Sequence, residues 1–293
     1  MGLLDKFLGV ARQAASGGVY TGPAGLAYPL PAQVQESTRQ VGGMSDDVIL
    51  AEERRLGPIV SRILAEVGRH VAPGVSTQAL ADGLTAASLA EQTLPARYGF
   101  KGFPAAAAVS INEEVVHGIP AAERRIARGD LLKLEFGLVS GRGFAAQSWT
   151  FAAGPVRAED RVLLDTGPRA LRAALAVLKA QCRLGDIGSA IQSTVEKAGL
   201  SVVRDFVGYG MGKKRIQEPP VHGHGKAGFG PRLSAGTVLN IHVILKHGSP
   251  EVEVNDNQWT ALASDGQRAA LFTCMAEITA DSHRSLTPLL AER

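Results

Sequence analysis

The stretch Ser110-Ile111-Asn112-Glu113-Glu114-Val115-Val116-His117-Gly118-Ile119-Pro120 decides how this chain folds. It contains the end of a β-like run, Ala107 to Val116, and finishes on His-Gly-Ile-Pro. Working outward, Gly102-Phe103-Pro104 stands just before it. Arg128-Gly129-Asp130 stands just after it and leads into a second β-like run, Leu131 to Thr150. Gly141-Arg142-Gly143 inside that second run reads as a hairpin turn. Farther along, Gly208-Tyr209-Gly210-Met211-Gly212 is followed by Glu218-Pro219.

Helical patterns flank these runs. Ser45-Asp46-Asp47 offers a cap and negative charge at a helix start. Pro58 is expected to break or kink that helix, and Ile59, Val60, Ile63, Leu64 and Val67 continue at helical spacing. Ala72-Pro73-Gly74 ends the segment, and Ser76-Thr77 caps the next helix. A second set follows half a chain later: Leu171, Leu175 and Leu178 mark one helix, Leu184-Gly185 ends it, and Asp186 caps a helix through Ile187, Ile191 and Val195. Further β-like runs follow at Leu200 to Val207 and Thr237 to Leu245. The order of arm, two helices, strands, two helices, strands predicts an α+β architecture, with helices covering a curved antiparallel sheet. Residues 13–44 show no sustained period and read as irregular. The organisation expected is an N-terminal helix and arm over 1–44 and one domain over 45–293.

The composition is that of a globular protein: 293 residues, 45% hydrophobic and 20% charged. A net charge of +3 is too small to argue for nucleic acid. Cys182 and Cys274 are the two cysteines and read as buried thiols in a reducing compartment. No apolar run approaches the ~20 residues of a membrane span. Leu3, Leu4, Phe7, Leu8, Val10 and Ala11 fall on one side of a short helix that could dock on the body or on a partner protein. With no secretory signal, the cytoplasm is the expected location.

Taken together, the motifs resemble the type I methionine aminopeptidases over about residues 45–281. The resemblance implies the pita-bread fold, two pseudo-symmetric α+β halves around a central pocket. It also implies two divalent ions, about 3.5–4 Å apart, held by four carboxylates and one imidazole. At the first ligand position, where the family has Asp, this chain has Glu135. The second Asp corresponds to Gln147 or to Ala146, and the spacing leaves both open. Tyr209 stands for the family's His, His242 for the Glu of Ile-Glu-Pro, and Thr273 for the last Glu. Four carboxylates thereby become one, so the two-metal site is expected to be absent, a single-metal site on Glu135 and His242 is the weaker alternative, and no cofactor is expected. The family's Phe-His-Glu-Glu-Pro is Arg215-Ile216-Gln217-Glu218-Pro219 here, and its His is lost at Ile216. His222-Gly223-His224 lacks an obvious third ligand.

His117, Glu135, Tyr209 and His242 are the candidate catalytic residues. Packing alone accounts equally well for His117. Phe100, Phe103, Ala108, Gln147, Arg215, Trp259 and Thr273 are the candidate substrate-binding residues. The expected ligand is a small molecule or peptide in the central pocket. The basic run Lys213-Lys214-Arg215 beside it also admits an anion. The leading functional expectation is a binding domain that is no longer a peptidase. A metal-free enzyme using the four candidate residues for acid/base chemistry is the alternative. An active methionine aminopeptidase with unusual ligands comes third.

Overall fold

The computed structural model describes residues 19–21, 27–29 and 31–290. The amphipathic helix expected over residues 3–11 lies outside them. Two helix pairs, Asp46–Gly68 with Thr77–Ala90 and Ala158–Ala176 with Leu184–Glu196, cover antiparallel strands. The α+β expectation is met, with one pair of helices and one group of strands in each half.

In the first half, strand Leu131–Val139 pairs along its whole length with Phe144–Ala152, through the turn expected at Gly141–Gly143. In the second half, Val238–Lys246 pairs along its whole length with Ala269–Ile278. Side chains join the halves where Phe144–Ala152 meets Ala269–Ile278. The Ser148 N–H donates to Thr273 Oγ1 at 2.8 Å, and the Leu271 N–H to Thr150 Oγ1 at 2.8 Å. Trp149 packs edge-on against Phe272 at 4.9 Å between ring centres. Hydroxyls therefore satisfy buried backbone groups across this seam.

Four local expectations need correction. Residues 31–42 are not irregular: Pro31–Gly42 is a helix, held by Val34 and Val41, which are buried and seven positions apart. Two anchors make too narrow a stripe to show as a period. Asp46–Gly68 runs through Pro58 without ending. Leu56 and Val60, both fully buried, anchor the chain on either side of it, and Gly57 packs so closely that an added Cβ would stand 2.2 Å from the Leu286 carbonyl oxygen. Burial on both sides outweighs one missing N–H. The last helix begins at Leu184, not at Asp186. Asp186 sits in its first turn, and its carboxylate accepts the Arg183 N–H at 2.8 Å. Strand Ala269–Ile278, between Val238–Lys246 and His283–Ser285 in its sheet, has no counterpart among the expected β-like runs. It is buried at every position, so it shows no alternation.

Cys182 and Cys274 are free and buried. Among the described residues, no helix is long and apolar enough to cross a membrane.

Candidate functional site

A cavity of about 860 Å³ opens between the two halves. Strand alternation decides what lines it. Asn240, His242 and Ile244 leave Val238–Lys246 on one face and all reach the cavity. Glu135 lies opposite Ser148, and Gly137 opposite Ala146, and these four also line it. Gln147 therefore points the other way. It is fully buried, and its amide donates to the Pro288 carbonyl at 2.9 Å. The register thus resolves the open choice of which side chain faces the cavity: Ala146 does, and Gln147 points away from it.

The four candidate catalytic residues share this cavity. Glu135, 7% exposed, is the hub. It accepts the His117 backbone N–H at 2.5 Å, lies 3.6 Å from His117 Nε2 and lies 3.4 Å from Arg97 Nη1. Burial opposes its charge, but the Arg97 guanidinium and the His117 N–H outweigh burial and hold the carboxyl below its ordinary value. His117 follows strand Glu114–Val116 in a left-handed conformation, φ 63°, which is uncommon for a non-glycine residue. Such backbone positions cluster at functional sites. Its ring meets Phe206 edge-on at 5.3 Å. Tyr209 and His242 meet at 5.1 Å, and the Asn240 amide donates to the Tyr209 hydroxyl at 3.3 Å.

Both histidines are held neutral at pH 7. Burial, with Arg97 and Arg215 nearby, lowers His117 to about 4; burial, with His117 and Arg97, lowers His242 to about 4. A base whose pKa falls on folding makes the native state sensitive to acid. Above the unfolded value, near 6.5, His242 is neutral in both states. Between 6.5 and 4 the unfolded chain takes up the proton first, so stability falls as pH falls. His242→Asn is therefore expected to flatten the loss of melting temperature between pH 6.5 and 4. The full window corresponds to about 3 kcal/mol. Parallel curves for the two proteins would refute this account.

The remaining candidates, Arg215 apart, fall around the cavity rather than in it. Arg215 lines it. Phe100 lies beneath Arg215 at 3.9 Å, and Phe103 beneath Arg97 at 4.4 Å. Trp259 packs edge-on against Phe103 at 5.2 Å. Ala108 is the cross-strand partner of Glu135 and is fully buried. Thr273 lies opposite His242, but its hydroxyl is taken by the Ser148 N–H, so it belongs to the sheet. The His222 and His224 rings stand 5.3 Å apart. Sequence reasoning missed Arg97 and Asn240. Asn240 stands two residues before His242 in the stretch that matches Ile-Glu-Pro, whereas Arg97 sits in no motif: it is separated by one residue from the two-residue strand Leu94–Pro95 and reaches Glu135 only through the fold.

Glu135 is the cavity's one buried carboxylate, and His117 and His242 are its imidazoles. Among the described residues, no group of three or more His, Cys, Asp or Glu is placed to hold a metal ion.

Residues 51–267 match the metallopeptidase family M24. The chain is 33% identical over 250 residues to methionine aminopeptidase A of Synechocystis, covering 83% of this chain and 99% of that protein. It is 34% identical over 235 residues to methionine aminopeptidase 1 of Bacillus subtilis, covering 80% and 94%. The solved methionine aminopeptidase of Rickettsia prowazekii superposes with a TM-score of 0.80 at 27% identity, covering 84% of this chain and 98% of the other. This chain belongs to the M24 metallopeptidase family, and its fold is the pita-bread fold of the methionine aminopeptidases.

These relatives overturn the expectation of a binding domain that is no longer a peptidase. Proteins that this chain matches over 99% and 94% of their own length are named methionine aminopeptidases. The expected absence of peptidase chemistry rested on single positions, whereas the likeness extends over the whole fold.

Proposed function

We propose that this chain is an aminopeptidase that removes an amino-terminal residue, methionine by its relatives' name, from a peptide held in the central cavity. The observation that carries the reading is 33% identity to a methionine aminopeptidase across 99% of that relative's length. The cavity supports it, since about 860 Å³ is ample for the first residues of a peptide.

The chain's own residues have definite parts in this reading. Glu135 orients His117 through the short backbone hydrogen bond and the longer contact to its ring. Asn240 and Tyr209 form a polar wall beside His242. The two imidazoles, neutral at pH 7, can each accept a proton within the cavity.

The family's two-metal centre is a separate matter. We read Glu135, Ala146, Tyr209, His242 and Thr273 as replacing its ligands. One buried carboxylate, already engaged by Arg97, does not fit two divalent ions, whose four positive charges would share the space with two arginines.

The test is release of methionine from a Met-Ala-Ser peptide, followed by mass spectrometry, alone and with added manganese or cobalt. Release above the blank is expected. His117→Asn should lower it about 100-fold or more; asparagine tolerates the left-handed backbone found there. No release under any of the conditions overturns the proposal. Release that depends strictly on added metal overturns the assessment of the donor set.

A further inference from the structure

The floor of the cavity holds more positive than negative charge, and part of the positive charge has no partner. Arg215 is 7% exposed, and its Nε finds no hydrogen-bond acceptor. Its guanidinium lies over the Phe100 ring at 3.9 Å. Stacking of this kind fixes the plane of the group and leaves its N–H edge free to meet a ligand. Arg97 is held the same way over Phe103, at 4.4 Å, and its Nε also lacks an acceptor. Against these two cations, Arg215 buried and Arg97 half-buried, stands one buried carboxylate, Glu135, 3.4 Å from Arg97. The cavity mouth does not redress the balance: Lys101, Lys213 and Lys214 are exposed there, against Asp205 and Glu218.

A buried cation without a counter-ion is costly, and an anionic ligand would relieve that cost. Arg215 is pushed down to about 10 by burial and remains a cation at pH 7. The planar fork of a guanidinium matches two oxygens of a carboxylate or a phosphate better than it matches any neutral group.

We infer that the central cavity binds an oxyanion, a carboxylate or a phosphate, on the Arg215 guanidinium, with Arg97 as the second basic wall. The peptide substrate can carry this oxyanion, or it can be free in solution, and the chemistry of recognition is the same. The inference goes beyond the aminopeptidase proposal and needs no turnover, so either can fail without the other.

The test is calorimetric titration of the full chain at constant ionic strength, with three probes: sodium phosphate, Glu-Ala amide and Met-Ala amide. The amide cap leaves the glutamate side chain as the only carboxylate. Phosphate, Glu-Ala amide or both should saturate with a Kd below about 10 mM, at least about tenfold tighter than Met-Ala amide. Arg215→Met should abolish this binding. Arg215→Lys, which keeps the charge and loses the fork, should weaken it about tenfold. Saturation by Glu-Ala amide alone assigns the oxyanion to the peptide, and saturation by phosphate alone assigns it to a free anion. No saturation by either, or unchanged affinity in Arg215→Met, overturns the inference. Should Arg215→Met fail to fold, Arg215→Lys decides, and unchanged affinity there overturns it equally.

Discussion

Replacing Glu135 by alanine is expected to destabilise the protein by about 3–5 kcal/mol, as removal of one partner of a buried ion pair does. Glu135 is the one buried acid among the cavity-lining residues, and Arg97 and Arg215 share the space. Without it, Arg97 loses its counter-ion at 3.4 Å, and the His117 N–H loses its acceptor at 2.5 Å. Glu135→Gln keeps an acceptor for that N–H and loses the charge, so it should lie between the wild type and alanine, at about 1–3 kcal/mol. Adding Arg97→Met to Glu135→Ala should recover part of the loss, because the cation left unpaired is then removed. Urea denaturation of the four proteins at pH 7 measures all of this. A loss below about 1 kcal/mol for the alanine variant would mean that water solvates the cavity floor as well as Glu135 does. The pH dependence has a definite sign. The folded carboxyl titrates below its ordinary value, so its contribution is present above about 4.5 and fades as pH falls through the folded value.

The second large effect lies away from the cavity. Glu53, on helix Asp46–Gly68, is 1% exposed, and its Oε1 has no hydrogen-bond partner. Burial, reinforced by the charge of Glu277, raises its pKa to about 8. Arg54, 2.7 Å from Glu277, keeps that neighbour ionised. From about 4.5 to 8 the folded protein holds a proton on Glu53 that the unfolded chain has released. Stability therefore falls as pH rises through this window, by about 3–5 kcal/mol in total. Glu53→Gln imitates the protonated side chain and removes the dependence. Its melting temperature should match that of the wild type near pH 4.5 and exceed it by several degrees at pH 8. Curves that run parallel from pH 4.5 to 8 would show that Glu53 is ionised in the native state.

Much of the fold was legible from the residues because its signals are local. The hairpin turn at Gly141–Gly143 and the helix start at Ser45-Asp46-Asp47 need only neighbouring residues, and the structure has both. The order of motifs around His117 pointed to the methionine aminopeptidase scaffold, which the M24 match and the superposition bear out. Where local reading failed, packing had overruled it. Pro58 sits inside a helix clamped by buried Leu56 and Val60, and Ala269–Ile278 shows no alternation because both its faces are covered. The functional reading went astray for a different reason: five positions were weighed against a likeness that spans the whole chain.

The candidate site divides in the same way. By itself the sequence determined which chemical groups lie near the motifs: Glu135 in its strand, His117 after its own, and a basic run ending at Arg215. Only the tertiary structure decided that Ala146, and not Gln147, faces the cavity, because one residue of register turns a side chain to the opposite face. Only the tertiary structure brought Arg97, 38 positions before Glu135, to within 3.4 Å of its carboxylate, and left Arg215 beside them with Nε unpartnered. A motif records what is adjacent along the chain. The charge balance of a buried cavity is set by side chains that converge from separate strands and loops, and it takes form only when those elements pack.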